Sequence, residues 1–438
     1  MSDEVQPVVR AHHRDDDRSI PRVSEPWIFP EGELAMTSIT EGRDFPLPRS
    51  NPFNAPDFYA EARTLNGLPK VKLWNGAEAY LATRYEDVQT VFRDSAFSNS
   101  PLRDGYPFIA ASLQGLLTGE RPMFANMDGA EHLNQRRMLT RLFRVPRINQ
   151  LRESLQKMVD DQLDLLMERG SEADFYEEFT LVVPSMAISV LLGVPYEDHQ
   201  FFQDVARDRM DLTAGPERPI IAGQRLGAFL EEHFEKMLQM EDPGDHVMGT
   251  LVKEQIRPGN LSLEDAVSIC RILLIAGHET TANAIAFSLV VLMENPTQLE
   301  ALRADPSLMP SAIEELLRYT SVPQFNGTRV AMEDVYVGEQ LVKAGESIVG
   351  PPIAANRDPS AFEEPDTLDL ARTDNPHIAF ADGAHQCLGQ PLARLEMDIA
   401  LTTVLKRMPN LRLTVPVSEL EFRFTERAYG VYHLPVAW

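Results

Sequence analysis

The chain has 438 residues, 43% of them hydrophobic, and can bury a large core as one big domain or as two to three ordinary ones. A net charge of −25 argues against general nucleic-acid binding. Two cysteines exclude a disulfide framework and fit a reducing cytoplasm. Residues 1–43 are polar and proline-rich, with the run His12-His13-Arg14-Asp15-Asp16-Asp17. They hold no apolar signal core and no spanning segment, so a disordered tail without a membrane anchor is expected. Val71 to Trp74 and Ala79 to Thr83 flank Asn75-Gly76, which predicts a hairpin. Tyr85 to Arg93 predicts a short helix. Ser98 to Glu120 mixes glycine, proline and apolar residues without a period and reads as a loop. Met127 to His132 leads into a helix on which His132 and Arg136, four apart, share one face. Arg136, Arg137, Arg141, Arg144 and Arg147 follow with no acid among them. That run is either a solvated helix face or a basic docking patch for an acidic partner. Ile148 to Val194 is largely helical by periodicity, and Asp198 to Met240 predicts two more helices, interrupted at Thr213-Ala214-Gly215-Pro216.

Ser262-Leu263-Glu264-Asp265 is a capping-box-like start for a long apolar helix that runs to about Glu294 and stops at Asn295-Pro296. A helix apolar on every side must be buried. In its middle lies Ala276-Gly277-His278-Glu279-Thr280-Thr281. Gly277, Glu279 and Thr280 are costly in a buried helix interior, and such a local violation marks a functional site more often than not. Thr280 can bond back to the carbonyl of Ala276 and open the turn, making room for water and dioxygen. The alternative is a kink relieved by polar groups. Cys270 reads as a core residue. Pro310 to Tyr319 predicts a helix with Glu315 and Arg318 three apart, which alone is an ordinary surface pair. Thr328 to Gly338 and Gln340 to Pro351 alternate around glycine turns and predict a small antiparallel sheet.

The stretch His377 to Pro391 surrounds the other cysteine, Cys387, with Phe380, Gly383, His385 and Gly389. No second cysteine is near, so neither a zinc knuckle nor a CxxC redox pair is available. An amphipathic run from Leu388 to Leu405 predicts a helix directly behind the sulfur. Unpaired N–H groups at a helix start favour a thiolate, and a lone thiolate with an aromatic guard suits an axial ligand of haem iron. A buried structural cysteine is the alternative.

Phe380, Gly383, His385, Cys387 and Gly389, together with the Ala-Gly-x-acid-Thr run at 276–280, resemble the cytochrome P450 monooxygenases. The resemblance covers Phe45 to Trp438. It implies a mainly α fold with small antiparallel β-sheets (α+β), with haem between a long central helix and the cysteine loop. Residues 44–438 would form that single domain. The cofactor would be haem b (iron protoporphyrin IX), with O2 as co-substrate and Cys387 as the metal ligand. His132, Arg136 and Arg329 would reach the haem propionates, and Phe380, His385 and Gly389 would shape the loop. Ala276 and Gly277 would border the oxygen site, and Glu279 and Thr280 would deliver protons to it. Glu315, Arg318 and Arg372 would brace the haem loop, and Val322 to Phe325 would face the substrate. One position departs: many members carry glycine after the phenylalanine, and this chain has Ala381.

The reaction implied is insertion of one oxygen atom into a small, mostly apolar organic molecule. Electrons from NAD(P)H would come through a separate ferredoxin and ferredoxin reductase, docking near Arg137, Arg141 and Arg144. A soluble, cytoplasmic enzyme of bacterial type is expected. The rivals are a haem-thiolate peroxygenase or nitric oxide reductase and, from another class, a haem-binding sensor or carrier. The pair Glu279-Thr280 argues against both: family members with the first two activities tend to lack it, and a carrier has no need of a proton relay.

Overall fold

The computed structural model describes residues 43–195, 198–210 and 217–438. All of the expected tail except Arg43, and the expected break at Thr213 to Pro216, lie outside the described residues. Helices dominate. The first half carries α1 (Asp57–Arg63), α2 (Tyr85–Arg93), α3 (Ala111–Gly119), α4 (Gly129–Thr140), α5 (Val145–Ile148), α6 (Arg152–Arg169) and α7 (Val182–Leu192). The second half carries α8 (His199–Met210), α9 (Glu217–Leu238), α10 (Val247–Leu251), α11 (Leu263–Glu294), α12 (Pro296–Ala304), α13 (Met309–Thr320), α14 (Pro352–Asn356) and α15 (Gln390–Arg407).

Helix α11 is the axis of the fold. Ser262 caps it: its hydroxyl accepts the Asp265 N–H at 3.1 Å and donates to the Asp265 carboxylate at 2.8 Å. Glu264 and Asp265 in the first turn suit the positive end of the dipole. Asn295 ends the helix and Pro296 opens α12, where its missing N–H is harmless. At 32 residues it is about 48 Å long at 1.5 Å per residue. It packs against α7, α9 and α15, so apolar side chains are buried on all its faces. By length and composition α11 is the one helix among the described residues that could cross a membrane, but 83% of its apolar window lies inside the protein.

The strands are short: β1 (Arg43–Asp44), β2 (Lys70–Lys72), β3 (Glu78–Leu81), β4 (Phe97–Ser98), β5 (Glu172–Asp174), β6 (Thr328–Ala331), β7 (Val335–Val337), β8 (Gln340–Val342), β9 (Ser347–Val349), β10 (Arg412–Leu413) and β11 (Pro435–Ala437). The expected hairpin at Asn75-Gly76 is the β2–β3 pair, with Lys72 opposite Glu78 and Gly76 at φ +83°. The expected antiparallel pairing is present, but it is part of a larger mixed sheet. β6 pairs antiparallel with β9, and β7 with β8 apart from them. The sheet that holds β6 and β9 has six strands in the order β1-β2-β3-β9-β6-β4, and β3–β9 and β1–β2 run parallel. Alternation identifies a strand but not the direction of a neighbour far away in sequence. The supposed loop over 98–120 also contains α3, whose Leu113, Leu116 and Leu117 bury one face and pack toward α9. Inside the stretch 148–194, read as helical, β5 pairs with β11.

Candidate active site

The cysteine loop is held by its own backbone. The Cys387 N–H donates to the Phe380 carbonyl at 2.9 Å, closing Phe380 to Cys387 into one hairpin-like turn. Gly383 has φ +68°, and a Cβ there would lie 2.5 Å from the Phe92 carbonyl oxygen, so only glycine fits beneath α2. Ala381 also takes a left-handed conformation, φ +58°. The backbone therefore adopts the shape that a glycine there would favour, with an alanine under strain of about 1–2 kcal/mol. Arg394 of α15 lies over the Phe380 ring at 4.7 Å and binds both carboxylate oxygens of Glu314 at 2.6 and 2.8 Å.

Cys387 keeps solvent-accessible surface although its neighbours Phe380 and Leu388 pack against the core, which points to an interior opening beside the sulfur. Burial raises its thiol pKa; the N–H groups of Gly389 and Gln390 and the guanidinium groups of Arg136 and Arg394 oppose that shift without cancelling it. Without a metal the group is a thiol, and coordination would deprotonate it.

The opposing wall is α11. Ala276 is exposed and Ile272, Gly277 and Thr280 are half-buried in an otherwise buried helix. Ile272, Ala276 and Thr280 are spaced by four, so they share the face that opens inward. The Thr280 hydroxyl donates to the Ala276 carbonyl at 2.7 Å, as the sequence leads one to expect. A Cβ at Gly277 would come within 3.0 Å of Ile188 of α7.

Four basic side chains converge beside the cysteine. The His132 and His385 rings stack at 4.1 Å, and Arg136 donates to the Gln386 carbonyl at 2.6 Å. Arg329 on β6 is buried, held by Asn99 Oδ1 at 2.7 Å and the Thr328 carbonyl at 2.8 Å. Burial, then Arg329, His132 and Arg136, drives the His385 pKa down to about 3. The pKa values of His132, Arg136 and Arg329 are lowered too, each first by burial. Asp128 is the one carboxylate acting on His132 and Arg329, and its oxygens already take the Ser98 hydroxyl and the Asn99 N–H. The buried Nε2 of His132 has no partner. A deficit of negative charge, an orphaned imidazole and a single accessible thiol fit a haem, which would bring two propionates and an iron.

Glu279 does not share the Thr280 face. It is buried on the far side of α11, accepting from the Tyr176 hydroxyl at 3.1 Å and from Arg423 Nη1 at 3.4 Å. Arg423 also binds Glu426 Oε2 at 2.8 Å. Burial works to lower the Arg423 pKa, but Tyr176, Glu279 and Glu426 together raise it. Burial pushes the Glu426 carboxyl up, against Arg423. Two carboxyl groups thus share one guanidinium. The sequence analysis missed Tyr176, Arg423 and Glu426, which lie 103 to 147 positions from Glu279 and carry no local signal.

Glu315, Arg318 and Arg372 do meet. Arg318 donates twice to Glu315 at 2.8 Å, and Arg372 Nε donates to it at 3.1 Å. The basic run disperses: Arg141 pairs with Glu254, Arg147 reaches Gln150 and the Asp245 carbonyl, and Arg137 and Arg144 are exposed without an ion pair among the described residues.

The cytochrome P450 family model matches residues 71–416. Cytochrome P450-SU2 of Streptomyces griseolus is 42% identical over 388 residues, 88% of this chain and 94% of that protein. Vitamin D3 dihydroxylase of the same organism is 38% identical, covering 91% of this chain and 98% of the relative. Among solved structures, CYP105P1 in complex with filipin I superposes with a TM-score of 0.85 at 38% identity, covering 91% of this chain and 99% of that one.

Proposed function

The chain belongs to the cytochrome P450 family and is a haem-dependent monooxygenase, and on that premise we propose which residues hold the haem, move protons and meet the redox partner. Haem b, when bound, supplies the iron at which dioxygen is reduced and its O–O bond cleaved. The Cys387 sulfur would ligate the iron, and the Gly389 and Gln390 N–H groups would stabilise the negative charge there. His132, Arg136, Arg329 and His385 receive the propionates, which supply the charge that this cluster lacks. Phe380 and Arg394 shield the sulfur side. Ala276 would leave room for the haem on the inward face of α11, and Gly277 lets the helix approach Ile188 of α7. The Thr280 hydroxyl, turning from the Ala276 carbonyl, orients water toward the reacting oxygen. Glu279 is the proton source for that water only after its side chain turns from Tyr176 and Arg423 toward the Thr280 face, with Arg423 keeping Glu426 as its partner.

The substrate is a mostly apolar organic molecule, since Ile272 and Ala276 present apolar surface to the cleft and the relatives include a vitamin D3 dihydroxylase and a filipin I complex. P450s of bacterial type take small-molecule substrates and typically use a ferredoxin and its reductase. The docking face proposed here is Arg137 and Arg144, with Arg141 partly engaged by Glu254. The reaction takes place in the cytoplasm, on the same reading.

The observation that carries the assignment is the accessible thiol of Cys387 beside Arg136 and Arg329, with Asp128 as the one carboxylate near the cluster. The purified enzyme, reduced and exposed to carbon monoxide, shows the long-wavelength Soret band of thiolate ligation. Cys387→Ala loses it. Survival of the band in that variant would move the ligand to another residue. Turnover that runs on peroxide without O2 and a redox partner would favour the peroxygenase alternative.

A further inference from the structure

Among the described residues Arg427 has no counter-ion. It lies in the C-terminal segment, next to the stretch Val322 to Phe325. Its carbonyl accepts the Gln324 N–H at 3.1 Å, and Ala428 bridges to Pro323. Three residues on, Gly430 touches the central helix so closely that a Cβ there would meet Asn283 Oδ1 at 2.1 Å. Arg427 thus sits within a few residues of both walls of the cleft. Arg427 is half-buried, and Tyr106 and Arg209 are the titratable groups close enough to act on it.

Its surroundings do not neutralise it. Among the described residues its side chain makes no ion pair or hydrogen bond, and the groups acting on it are Tyr106 and Arg209, with no carboxylate. The Tyr106 hydroxyl is already engaged with Thr328 Oγ1 at 3.0 Å. Glu120, the nearby acid, is committed elsewhere. It takes Arg209 through both oxygens, at 2.7 and 3.1 Å, and Arg271 at 3.4 Å. Two guanidinium groups therefore share Glu120, and Arg427, beside Val322 to Phe325, has no carboxylate among the described residues. Burial, followed by Arg209, shifts the Arg427 pKa downward. A buried unpaired charge is destabilising by several kcal/mol, and such a site persists where a ligand completes it.

We propose that this enzyme takes an apolar substrate bearing a carboxylate, which the Arg427 guanidinium receives while the apolar body extends along Ile272 and Ala276. A planar fork suits a carboxylate and fixes the end of the molecule that is not oxidised. The inference rests on the reading of the cleft as the haem and substrate chamber.

The test uses the haem-loaded enzyme and two pairs of probes, dodecanoic acid with its methyl ester and abietic acid with its methyl ester. Dissociation constants are read by calorimetry and by the haem spin-state shift. In wild type the acid of at least one pair binds about 10- to 100-fold tighter than its ester, the ratio expected of hydrogen bonds to a charged group. Arg427→Gln loses that ratio and Arg427→Lys keeps part of it. Wild-type enzyme that binds neither acid better than its ester overturns the proposal, as does Arg427→Gln with the preference intact. The ferrous–carbonyl band of wild type separates the two levels. If wild type shows the normal band but no acid preference, the substrate inference alone falls; if wild type itself lacks the band, the haem assignment falls first.

Discussion

Two buried charged clusters, both in the cysteine half of the molecule, are built to opposite rules. Around Glu315 every charge is answered. Its oxygens take Arg318, Arg372, the Asp369 N–H and Asn375, and Arg318 also reaches the carbonyls of Asn356 and Pro365. Around His385 two guanidinium groups, Arg136 and Arg329, have only the Asp128 carboxylate near them, and the buried imidazole nitrogen of His132 has no partner among the described residues. The first cluster is complete in the polypeptide and so holds structure. The second is incomplete without a ligand and so reads as a binding site. The Glu279, Arg423 and Glu426 group lies between them, with one cation for two acids.

The comparison breaks first at Arg318. Arg318→Leu strands Glu315 in the core and is expected to destabilise the fold by about 3–5 kcal/mol, seen as a lowered denaturant midpoint or loss of soluble protein. A change below about 1 kcal/mol would mean that the network is ornamental.

The intermediate group sharpens the contrast. Glu279→Gln keeps the shape but removes the proton carrier, so oxygen consumption should slow by about 10²–10⁴-fold. Thr280→Ala leaves oxygen consumption running but diverts it to hydrogen peroxide. Product and peroxide counted per NAD(P)H separate the two roles. Full coupling in Thr280→Ala would remove Thr280 from the relay or show that the substrate supplies the hydroxyl.

The unmatched cluster should respond with the opposite sign to the matched one. Arg329→Leu removes a buried like charge, so the haem-stripped chain should be no less stable. Haem retention on dilution should fall by about 10- to 100-fold, the value of a lost hydrogen bond to a charged group. A destabilised haem-free chain with unchanged haem affinity would make Arg329 structural.

The smallest effect belongs to the surface. Arg137→Glu should slow reduction by an acidic ferredoxin at low salt and leave substrate affinity alone. The difference should shrink as ionic strength rises, since screening acts within about 8–10 Å. Equal rates at every salt concentration would take the docking face elsewhere.

Much of this was legible because it is local. Tyr85 to Arg93 forms the helix its pattern predicts, and Ser262 caps α11 where the capping box stands. The cysteine loop could be read because its glycine, aromatic and thiol are bound to a short stretch of chain. The loop's one departure proved informative in space: Ala381 keeps the left-handed backbone in spite of its Cβ. By contrast α3 was hidden in a stretch with no period, because its helix is justified by packing against α9.

Helix periods, caps and turns are determined by neighbours within a few residues, so the order of elements, the central helix and the thiol at the mouth of α15 follow from the amino acids alone. The partners of a buried charge are not. Glu279 depends on Arg423, 144 positions away, and β9 lies parallel to β3 although more than 260 residues separate them. Electrostatics and sheet pairing act through space, and only the folded chain decides that Glu315 is satisfied and that Arg427 is not.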